Sequence, residues 1–465
     1  MMIFLVFLFI GINGFLATFI IENTFDFLMR LAIGYSVGIG ITTLLLLYIS
    51  ILGGSFSAQI IVILLIAIFV GIIILLFKLN RAEQILLLIS REKTKWKNFY
   101  SNTSTLYKIF FFILLGYIIF VLLGITSYNF YSPISTWDAF TSYDYTGRIL
   151  SKIPNILGAT KQAGGIQNYP LFTALSHSIV YIFGGDNPKF TYSLLLFCFS
   201  ILFYESLKKY RDPLFALALT FLLITSSYIY SQSQTAYTNF PLTFYYGMGV
   251  IYLYIFMKSE EKSYFWLSTI FLSLSYWVRT ESKNFLVATL AVFILYTLIK
   301  KKYYEYPFIL AGIFFATGKP WEWYYKNILE NAATPLIEKT NFPGLYSARQ
   351  DITHGDELEE KFYDFEHLQY VGTYILNALR GALDNNNINF FLLVFIFNIK
   401  NIFKENIWMF LLLISHIGIF MGGTLIFSIS FTEFASIQDS ATRLAMIFIP
   451  MVLYYIGTTE LFSKK

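Results

Sequence analysis

The sequence predicts an all-α fold, a polytopic bundle of membrane-spanning helices. Hydrophobic residues make up 57% of the 465 residues and charged residues only 13%, whereas a soluble domain carries about a quarter charged residues. The mean hydropathy is +0.62, and apolar runs close to the ~20 residues that cross a bilayer recur along the chain. We therefore expect a multi-pass protein of a cell membrane.

Apolar runs of this kind give about thirteen candidate spans. They are residues 2–21, 31–51, 60–78, 109–127, 190–207, 213–230, 240–257, 264–280, 284–299, 305–317, 389–400, 406–429 and 443–459. The first run has neither a basic start nor a small-residue cleavage site, so we expect a retained span and not a signal peptide. Segment 170–183 is apolar but short. We expect it to form a juxtamembrane helix on the outer leaflet, started by Pro170.

The spans and loops divide the chain into four predicted regions. Residues 1–104 hold N-terminal extra spans and a basic segment, and residues 105–320 form the central bundle with a first outer loop at 128–189. A large loop occupies 318–388, and residues 389–465 hold the C-terminal spans. We predict no function for the first region.

Lysine and arginine residues concentrate on alternate loops, which predicts the orientation because cytoplasmic loops carry the excess of positive charge. The basic positions are Lys78, Arg81, Arg91, Lys93, Lys95, Lys97, Lys208, Lys209, Arg211, Lys258, Lys262, Lys300, Lys301, Lys302, Lys400, Lys404, Lys464 and Lys465. The loops 128–189, 231–239, 318–388 and 430–442 then face the extracytoplasmic side, and so does the N-terminus. The net charge of +5 reports this orientation and does not indicate nucleic-acid binding.

The first outer loop contains the main candidate for chemistry, Asp138, directly after Trp137. Two interpretations are open. Asp138 caps a short helix that runs to Gly147, which is the commoner role of such a residue, or it is a general base at the mouth of a cavity. Asp144 lies on another side of such a helix, and its spacing from Arg148 allows an i,i+4 ion pair.

Further charged residues stand at the ends of later spans. Arg279 and Glu281 are two residues apart, so on a helix they would not face each other and each would need a partner elsewhere. A tight outer turn is the alternative. Arg443 opens the last span, where it either reaches the lipid headgroups or holds the phosphate of a lipid substrate. Lys319, in the large loop, is a weaker candidate for binding.

Several classes of site are excluded by residue usage. The single cysteine, Cys198, allows neither an intramolecular disulfide nor a cysteine-based metal site. The four histidines lack metal-ligand spacing, so a zinc hydrolase is not expected and we predict no metal site. His416, in the middle of a span, is expected to be hydrogen-bonded within the bundle. A glycine-rich nucleotide loop and a Gly-x-Ser-x-Gly elbow are both absent from the sequence.

The order of several short motifs resembles that of a known family. In chain order they are Trp137-Asp138-Ala139, a tyrosine-rich helix ending at Arg148, Tyr169-Pro170-Leu171, Ala236-Tyr237-Thr238-Asn239-Phe240-Pro241-Leu242, Arg279-Thr280-Glu281, and Arg443 ahead of Pro450. Together they cover about residues 105 to 460. The pattern resembles the membrane-embedded GT-C fold glycosyltransferases, in particular the bacterial and archaeal relatives of the protein O-mannosyltransferases and of the aminoarabinose lipid A transferase.

The resemblance implies an inverting transfer of one sugar from a polyprenyl-phosphate donor to a hydroxyl acceptor on the extracytoplasmic face. Asp138 matches the catalytic base of the family. The other matching or candidate substrate-binding residues are Trp137, Asp144, Arg148, Tyr169, Asn239, Arg279, Glu281, Lys319 and Arg443. The partners implied are the lipid-linked donor, a hydroxyl of a protein, glycan or lipid, and membrane lipids, with no nucleic acid.

One residue departs from the family pattern. Many relatives carry an acid where this chain has Asn239. No cofactor is therefore assigned with certainty. A divalent cation is disfavoured by the amide, although Asn239 can still hydrogen-bond a sugar or offer one weak metal oxygen.

Two other functions are compatible with the sequence. A transporter or flippase of a lipid-linked glycan would need paired charges along a path through the membrane and internal symmetry, and the sequence shows neither clearly. A glycan polymerase or ligase would depend on arginines. The transferase hypothesis requires Asp138 to line a cavity near Arg443 or Arg279.

Overall fold

The structure is a computed structural model. It describes residues 2–21, 25–81, 83–163, 168–332, 365–384, 406–430 and 438–459, and the isolated positions 166, 392, 393 and 396. These residues form helices and short connections, with no β-strand among them. The predicted all-α class is confirmed for the described part of the chain.

The helices follow one another in this order: α1 (Met2–Ile21), α2 (Phe27–Ile51), α3 (Ala58–Lys78), α4 (Glu83–Asn102), α5 (Thr105–Tyr131), π1 (Ala139–Asp144), α6 (Tyr145–Lys152), α7 (Ile156–Ala163), α8 (Phe172–Ile182), α9 (Phe190–Lys208), α10 (Pro213–Thr225), α11 (Ser227–Gln232), α12 (Asn239–Ser259), α13 (Lys262–Val278), α14 (Ser282–Lys300), α15 (Tyr306–Tyr324), π2 (Tyr325–Leu329), α16 (Glu330–Ala332), α17 (Phe365–Leu383), α18 (Ile407–Ser430), α19 (Gln438–Ala445) and α20 (Phe448–Thr458). The two π-helices have the wider, rarer turn.

Nine helical stretches of the described residues are long and apolar enough to cross a membrane. They are Met2–Ile21, Phe27–Ile51, Ala58–Lys78, Thr105–Tyr131, Phe190–Lys208, Asn239–Ser259, Ser282–Lys300, Ile407–Ser428 and Ser440–Thr458. Each coincides with a predicted span. The chain thus has the helices of a multi-pass membrane protein.

The other four predicted spans are not among these nine. Segment 389–400 lies mostly outside the described residues, and 264–280 and 305–317 correspond to α13 and α15. The prediction of one helix over 213–230 is wrong, because Ser226 is extended and separates α10 from α11. The break is stabilised from outside the segment, since the Asp384 carboxylate accepts a hydrogen bond from the Ser227 backbone at 3.0 Å.

Helix α12 lies at the centre of the bundle, and its membrane-spanning window is buried all round. A helix that is apolar on every side belongs in such a position. It packs against α9, α13, α14, α18 and α20. The Nε2 atom of His416, in α18, forms hydrogen bonds with the Tyr246 hydroxyl at 2.8 Å and the Thr289 hydroxyl at 3.1 Å. This confirms the predicted hydrogen bonding of the histidine within the bundle.

The first two helices pack into the same hydrophobic core as the rest. The Tyr245 hydroxyl donates to the Ser36 carbonyl at 2.6 Å, and the Trp277 indole donates to the Thr43 hydroxyl at 3.0 Å. Helix α2 is therefore a wall of the central bundle. The predicted boundary at residue 104 stays a prediction.

The lysine-rich connections lie at one end of the bundle, where ion pairs join them to neighbouring segments. Lys208 contacts Asp26 at 3.3 Å, Lys209 contacts Glu261 at 2.6 Å, and Lys302 contacts Glu260 at 3.0 Å. The connection between α2 and α3 lies at the other end, where the Phe56 amide donates to the Pro154 carbonyl at 2.7 Å. The part of the first large loop around Pro154 is therefore at the end opposite these ion pairs.

Segment 170–183 has the predicted short helix, α8. Nine of its eleven residues are buried, and it packs against α2 and α6. Gly147 allows α6 to approach α8 closely, because the Cβ of any other residue there would lie only 2.7 Å from the His177 Cβ. The helix is thus a packed part of the bundle, and its position at the outer leaflet stays a prediction.

The close packing of α12 on α13 makes a first prediction. A Cβ at Gly249 would lie 2.7 Å from the Leu272 Cγ and 3.0 Å from the Leu272 backbone nitrogen. We expect Gly249→Ala to destabilise the protein by about 1–3 kcal/mol through overpacking. Thermal unfolding in detergent measures this.

Gly312→Ala is the matched control. Gly312 also lies within a helix, but a Cβ added there would meet no atom of the described residues within 4 Å. Alanine favours a helix over glycine by about 1 kcal/mol, so this variant should be as stable as the native protein or more so. A Gly249→Ala protein that unfolds no earlier than Gly312→Ala would contradict the packing described.

Candidate functional site

The loop after α5 is held in place by side chains from two other connections. The Asn187 side chain donates to the Asn129 and Ser132 carbonyls, both at 2.8 Å, where α5 ends. The Thr136 hydroxyl donates to the Thr235 carbonyl at 3.2 Å, in the connection before α12. These contacts fix the position from which the next helical turn starts.

Asp138 does not cap that turn, so the capping interpretation is wrong. The turn starts earlier, because the Thr136 carbonyl accepts from the Phe140 amide at 2.9 Å. Asp138 already has helical backbone angles and makes no capping hydrogen bond. Its carboxylate is 52% exposed, and Oδ2 lies 3.3 Å from Nη1 of Arg443. Its side chain is thus directed to another element and not to its own backbone.

Asp138 lines a cavity of about 180 Å³ at the end of the bundle opposite the lysines. The lining residues are Asp138, Ser142, Tyr143, Tyr169, Tyr237, Asn239, Arg279, Ser440 and Arg443. Each has a hydroxyl, amide, guanidinium or carboxylate group, so the cavity is suited to a polar ligand. Five residues predicted from the sequence meet here: Asp138, Tyr169, Asn239, Arg279 and Arg443.

Arg443 enters the cavity from the short helix α19. Its Nη2 donates to the Ser440 hydroxyl at 3.2 Å, and its guanidinium lies 5.2 Å from the centre of the Tyr237 ring. Helix α17 packs behind α19, with Gly381 so close to Thr442 that a Cβ would be 3.0 Å from the Thr442 methyl. The guanidinium is thus held by Ser440 and Tyr237, and the helix that carries it is backed by α17.

Arg279 enters from the end of α13. Its backbone is extended, so the chain has left the helix, and Nη2 reaches Glu281 at 2.8 Å. The expectation that each side chain would need a partner elsewhere assumed a helix and is wrong, and the alternative of a tight turn describes the chain here. Nη1 donates to the Asn239 side-chain oxygen, and the guanidinium lies 5.4 Å from the Tyr169 ring centre.

Electrostatics keep this arginine and its partner ionised. Burial alone would raise the pKa of Glu281, but the charge and hydrogen bonds of Arg279 outweigh burial and lower the pKa below its usual range. Glu281 does not line the cavity; it holds Arg279 from behind.

Tyr143 forms part of the wall beside Asp138. Burial raises its pKa to about 12, so the phenol stays protonated near neutral pH. Its hydroxyl is 3.3 Å from the Thr238 hydroxyl, and its ring lies 6.3 Å from Tyr169 and 6.4 Å from Tyr237. Three tyrosines thus line one cavity.

Trp137, Lys319 and the Asp144–Arg148 pair lie outside the cavity lining. Trp137 is 77% exposed beside Asp138. Lys319 contacts Glu322 at 2.7 Å, together with Lys283 at 3.1 Å, in a separate cluster. The prediction that Lys319 joins the other cations around one ligand is not met by this placement.

Asp144 and Arg148 form the predicted i,i+4 pair, at 2.8 Å, within a buried cluster. The Tyr181 hydroxyl donates to the Asp144 carboxylate, which is 1% exposed, and His177 lies 3.4 Å from it. Burial would raise the pKa of Asp144, but the nearby His177 ring and the hydrogen bonds from Tyr181 and Arg148 lower it to about 2. The cluster joins α6 to α8 behind the cavity wall.

Sequence reasoning missed Ser142, Tyr143, Tyr237 and Ser440 as lining residues. Two signals were available. Tyr237 stands two residues before Asn239 in the same motif, and Ser440 is three residues before Arg443, on the same face of a helix.

A divalent cation does not fit this cavity. Among the described residues, the lining contains a single carboxylate, Asp138, and two guanidinium groups that would repel the ion. The Asn239 oxygen already accepts from Arg279. The described part of the chain also has no group of three or more histidine, cysteine, aspartate and glutamate side chains that could hold a metal.

Comparison with known proteins gives no match to a family model, a curated protein or a solved structure. The resemblance to the GT-C glycosyltransferases therefore depends on the sequence motifs alone.

The Asp144 cluster makes a second prediction. Since the pKa of Asp144 is about 2 in the folded protein and usually 3.8, its carboxylate stabilises the fold above about pH 4, and this stabilisation is lost as the pH falls through about 2. We expect Asp144→Asn to lower the free energy of unfolding by about 2 kcal/mol at pH 7.

Denaturant unfolding of both proteins at pH 7 and in steps below pH 4 measures the difference, which should shrink with acid. Asp186→Asn, an exposed carboxyl of the same loop, is the control and should change stability little. A difference between native protein and Asp144→Asn that grows as the pH falls would contradict this account.

Proposed function

We propose that the protein is an integral membrane glycosyltransferase. It transfers a sugar, with inversion, from a polyprenyl-phosphate-linked donor to a hydroxyl acceptor of a protein, glycan or lipid. The observation that carries the proposal is the meeting of Asp138 with Arg279 and Arg443 in one polar cavity at the end of the bundle. These residues come from parts of the chain up to 305 positions apart.

The chemistry proposed for Asp138 follows from its contacts. Oδ2 is paired with Arg443, and Oδ1 has no partner among the described residues. Oδ1 accepts the proton of the acceptor hydroxyl as that oxygen attacks the anomeric carbon, a contribution of about 10²–10⁴-fold in rate. The leaving group is a lipid phosphate, already stable as an anion, so a nearby cation suffices to stabilise its developing charge.

The proposed side of the membrane follows from charge. The lysine-rich end of the bundle is assigned to the cytoplasm by the positive-inside rule, which puts the opposite end, with the cavity, outside the cytoplasm. The lipid-facing helix α5, of which only 22% of the spanning window is buried, ends at the loop that carries Asp138. A donor with an apolar tail in the bilayer would therefore have its phosphate near the cavity.

A flippase or transporter of a lipid-linked glycan, and a glycan polymerase or ligase, are the alternative functions. A transporter needs a polar route through the bundle. The centre is instead filled by α12, whose spanning window is fully buried, and the polar cavity is confined to one end. This favours a reaction at one membrane face.

The third prediction is that Asp138→Asn reduces transfer at least about 10²-fold, because the amide cannot take the proton. Purified protein is incubated with radiolabelled polyprenyl-phosphate sugars, and release of the free lipid phosphate is measured. Binding of the donor and the unfolding temperature should stay close to those of the native protein.

Asp186→Asn is the control and should retain full activity. Transfer by Asp138→Asn at the native rate would overturn the assignment of the base. If labelled donor crosses a vesicle membrane with its sugar still attached, the transporter is the correct function.

A further inference from the structure

We propose that the two cavity arginines have different roles. Arg279 binds the phosphate of the departing carrier, and Arg443 is a positioning residue that orients the base on the acceptor side. This inference rests on the proposed inverting transfer. It separates two side chains that the sequence treats as equivalent candidates for holding phosphate.

The argument starts from the geometry of inversion. The acceptor oxygen bonds to the anomeric carbon on one face while the bond to the phosphate oxygen breaks on the other. The acceptor proton moves to Asp138 Oδ1, and the electron pair of the broken bond leaves with the lipid phosphate. In inverting glycosidases, the groups that serve the two faces stand about 6.5–9.5 Å apart, so that the attacking oxygen fits between them.

Arg443 is too close to the base to serve the leaving group. Its Nη1 lies 3.3 Å from Asp138 Oδ2, about half the separation that inversion requires. Its other terminal nitrogen, Nη2, points at the Ser440 hydroxyl of its own helix, 3.2 Å away. One terminal nitrogen thus contacts the base, and the other contacts a hydroxyl of the helix that carries Arg443.

Arg279 is not paired with the base. It lines the same cavity as Asp138, but its ion-pair partner among the described residues is Glu281. Glu281 contacts Nε and Nη2, at 2.9 and 2.8 Å, and Asn239 accepts from Nη1. A guanidinium has five N–H donors, so donors remain for phosphate oxygens in the cavity.

Two further features favour an anion beside Arg279. Asn239 begins α12, a helix of 21 residues, and the start of a helix carries partial positive charge and backbone N–H groups without a helical acceptor. The guanidinium is also fixed by Glu281 and Asn239 before any ligand arrives, so binding a phosphate costs little further ordering. The first feature does not apply to Arg443, which lies in the last turn of the short helix α19 and not at the start of a helix.

The fourth prediction separates the two roles by ligand binding. The probe is tritiated polyprenyl phosphate without a sugar, bound to the full-length protein in lipid nanodiscs. We expect Arg279→Gln to weaken binding about tenfold or more, because a charge-assisted hydrogen bond contributes about 1.5–3 kcal/mol. Arg443→Gln should change it less than about threefold. Inorganic phosphate as a competitor distinguishes recognition of phosphate alone from binding of the lipid tail.

Transfer kinetics supply the complementary readout. Arg443→Gln should lower kcat about tenfold or more while the KM for the donor changes little, and Arg443→Lys should restore part of the rate because it returns the charge beside Asp138. Arg279→Gln should raise the donor KM and lower kcat as well. Since Arg279→Gln leaves Glu281 without its partner, Arg279→Lys is the second variant; it keeps the charge and should show an intermediate loss of affinity for polyprenyl phosphate.

The outcomes are distinguishable. Equal loss of polyprenyl-phosphate binding in Arg279→Gln and Arg443→Gln, or loss confined to Arg443→Gln, would overturn the division of roles, as would native protein that does not bind the probe. Binding that depends on Arg279 but no transfer with any lipid-linked sugar would overturn the proposed function and leave a lipid-phosphate site at Arg279.

Discussion

The contact between Asp138 and Arg443 closes the site, and the surrounding structure holds its two halves in place. One half is the turn after α5, fixed by Asn187 and Thr136. The other is α19, backed by α17. Because the two residues are 305 positions apart, the contact exists only when the whole bundle is assembled around α12. The apolar helices that make up most of the bundle thereby position a few polar groups at one end.

The chemistry of the cavity follows from how its charges are balanced. Two guanidinium groups face one carboxylate among the described lining residues, and the second carboxylate, Glu281, stands behind Arg279. The described lining itself thus carries two positive charges and one negative charge, so it would attract an anionic ligand, whereas a metal cation would add to the positive charge of the lining. The Tyr143 hydroxyl stays protonated, since burial raises its pKa to about 12. Such walls suit a polar ligand that carries negative charge.

Much of the bundle was predictable because apolar runs of span length are a strong signal. Local chain geometry was harder to predict from the sequence. Arg279 and Glu281 meet because the chain is extended there, which residue spacing cannot reveal, and the break at Ser226 depends on Asp384 from a distant helix. The cavity gathers five of the predicted residues, while Lys319 joins another cluster. Short motifs indicated the polar positions, but only packing determines which of them share a space.

The close approach of α17 to α19 gives α17 an influence on the cavity, although no described residue of α17 lines it. Gly381 sits against Thr442, the residue before Arg443. A Cβ at Gly381 would lie 3.0 Å from the Thr442 methyl, so a larger residue there would press on the residue beside Arg443 without changing either Arg443 or Asp138. Substitutions at Gly381, which is outside the cavity lining, could thus change the distance between the Asp138 carboxylate and the Arg443 guanidinium. Such changes would adapt the cavity to ligands of different size.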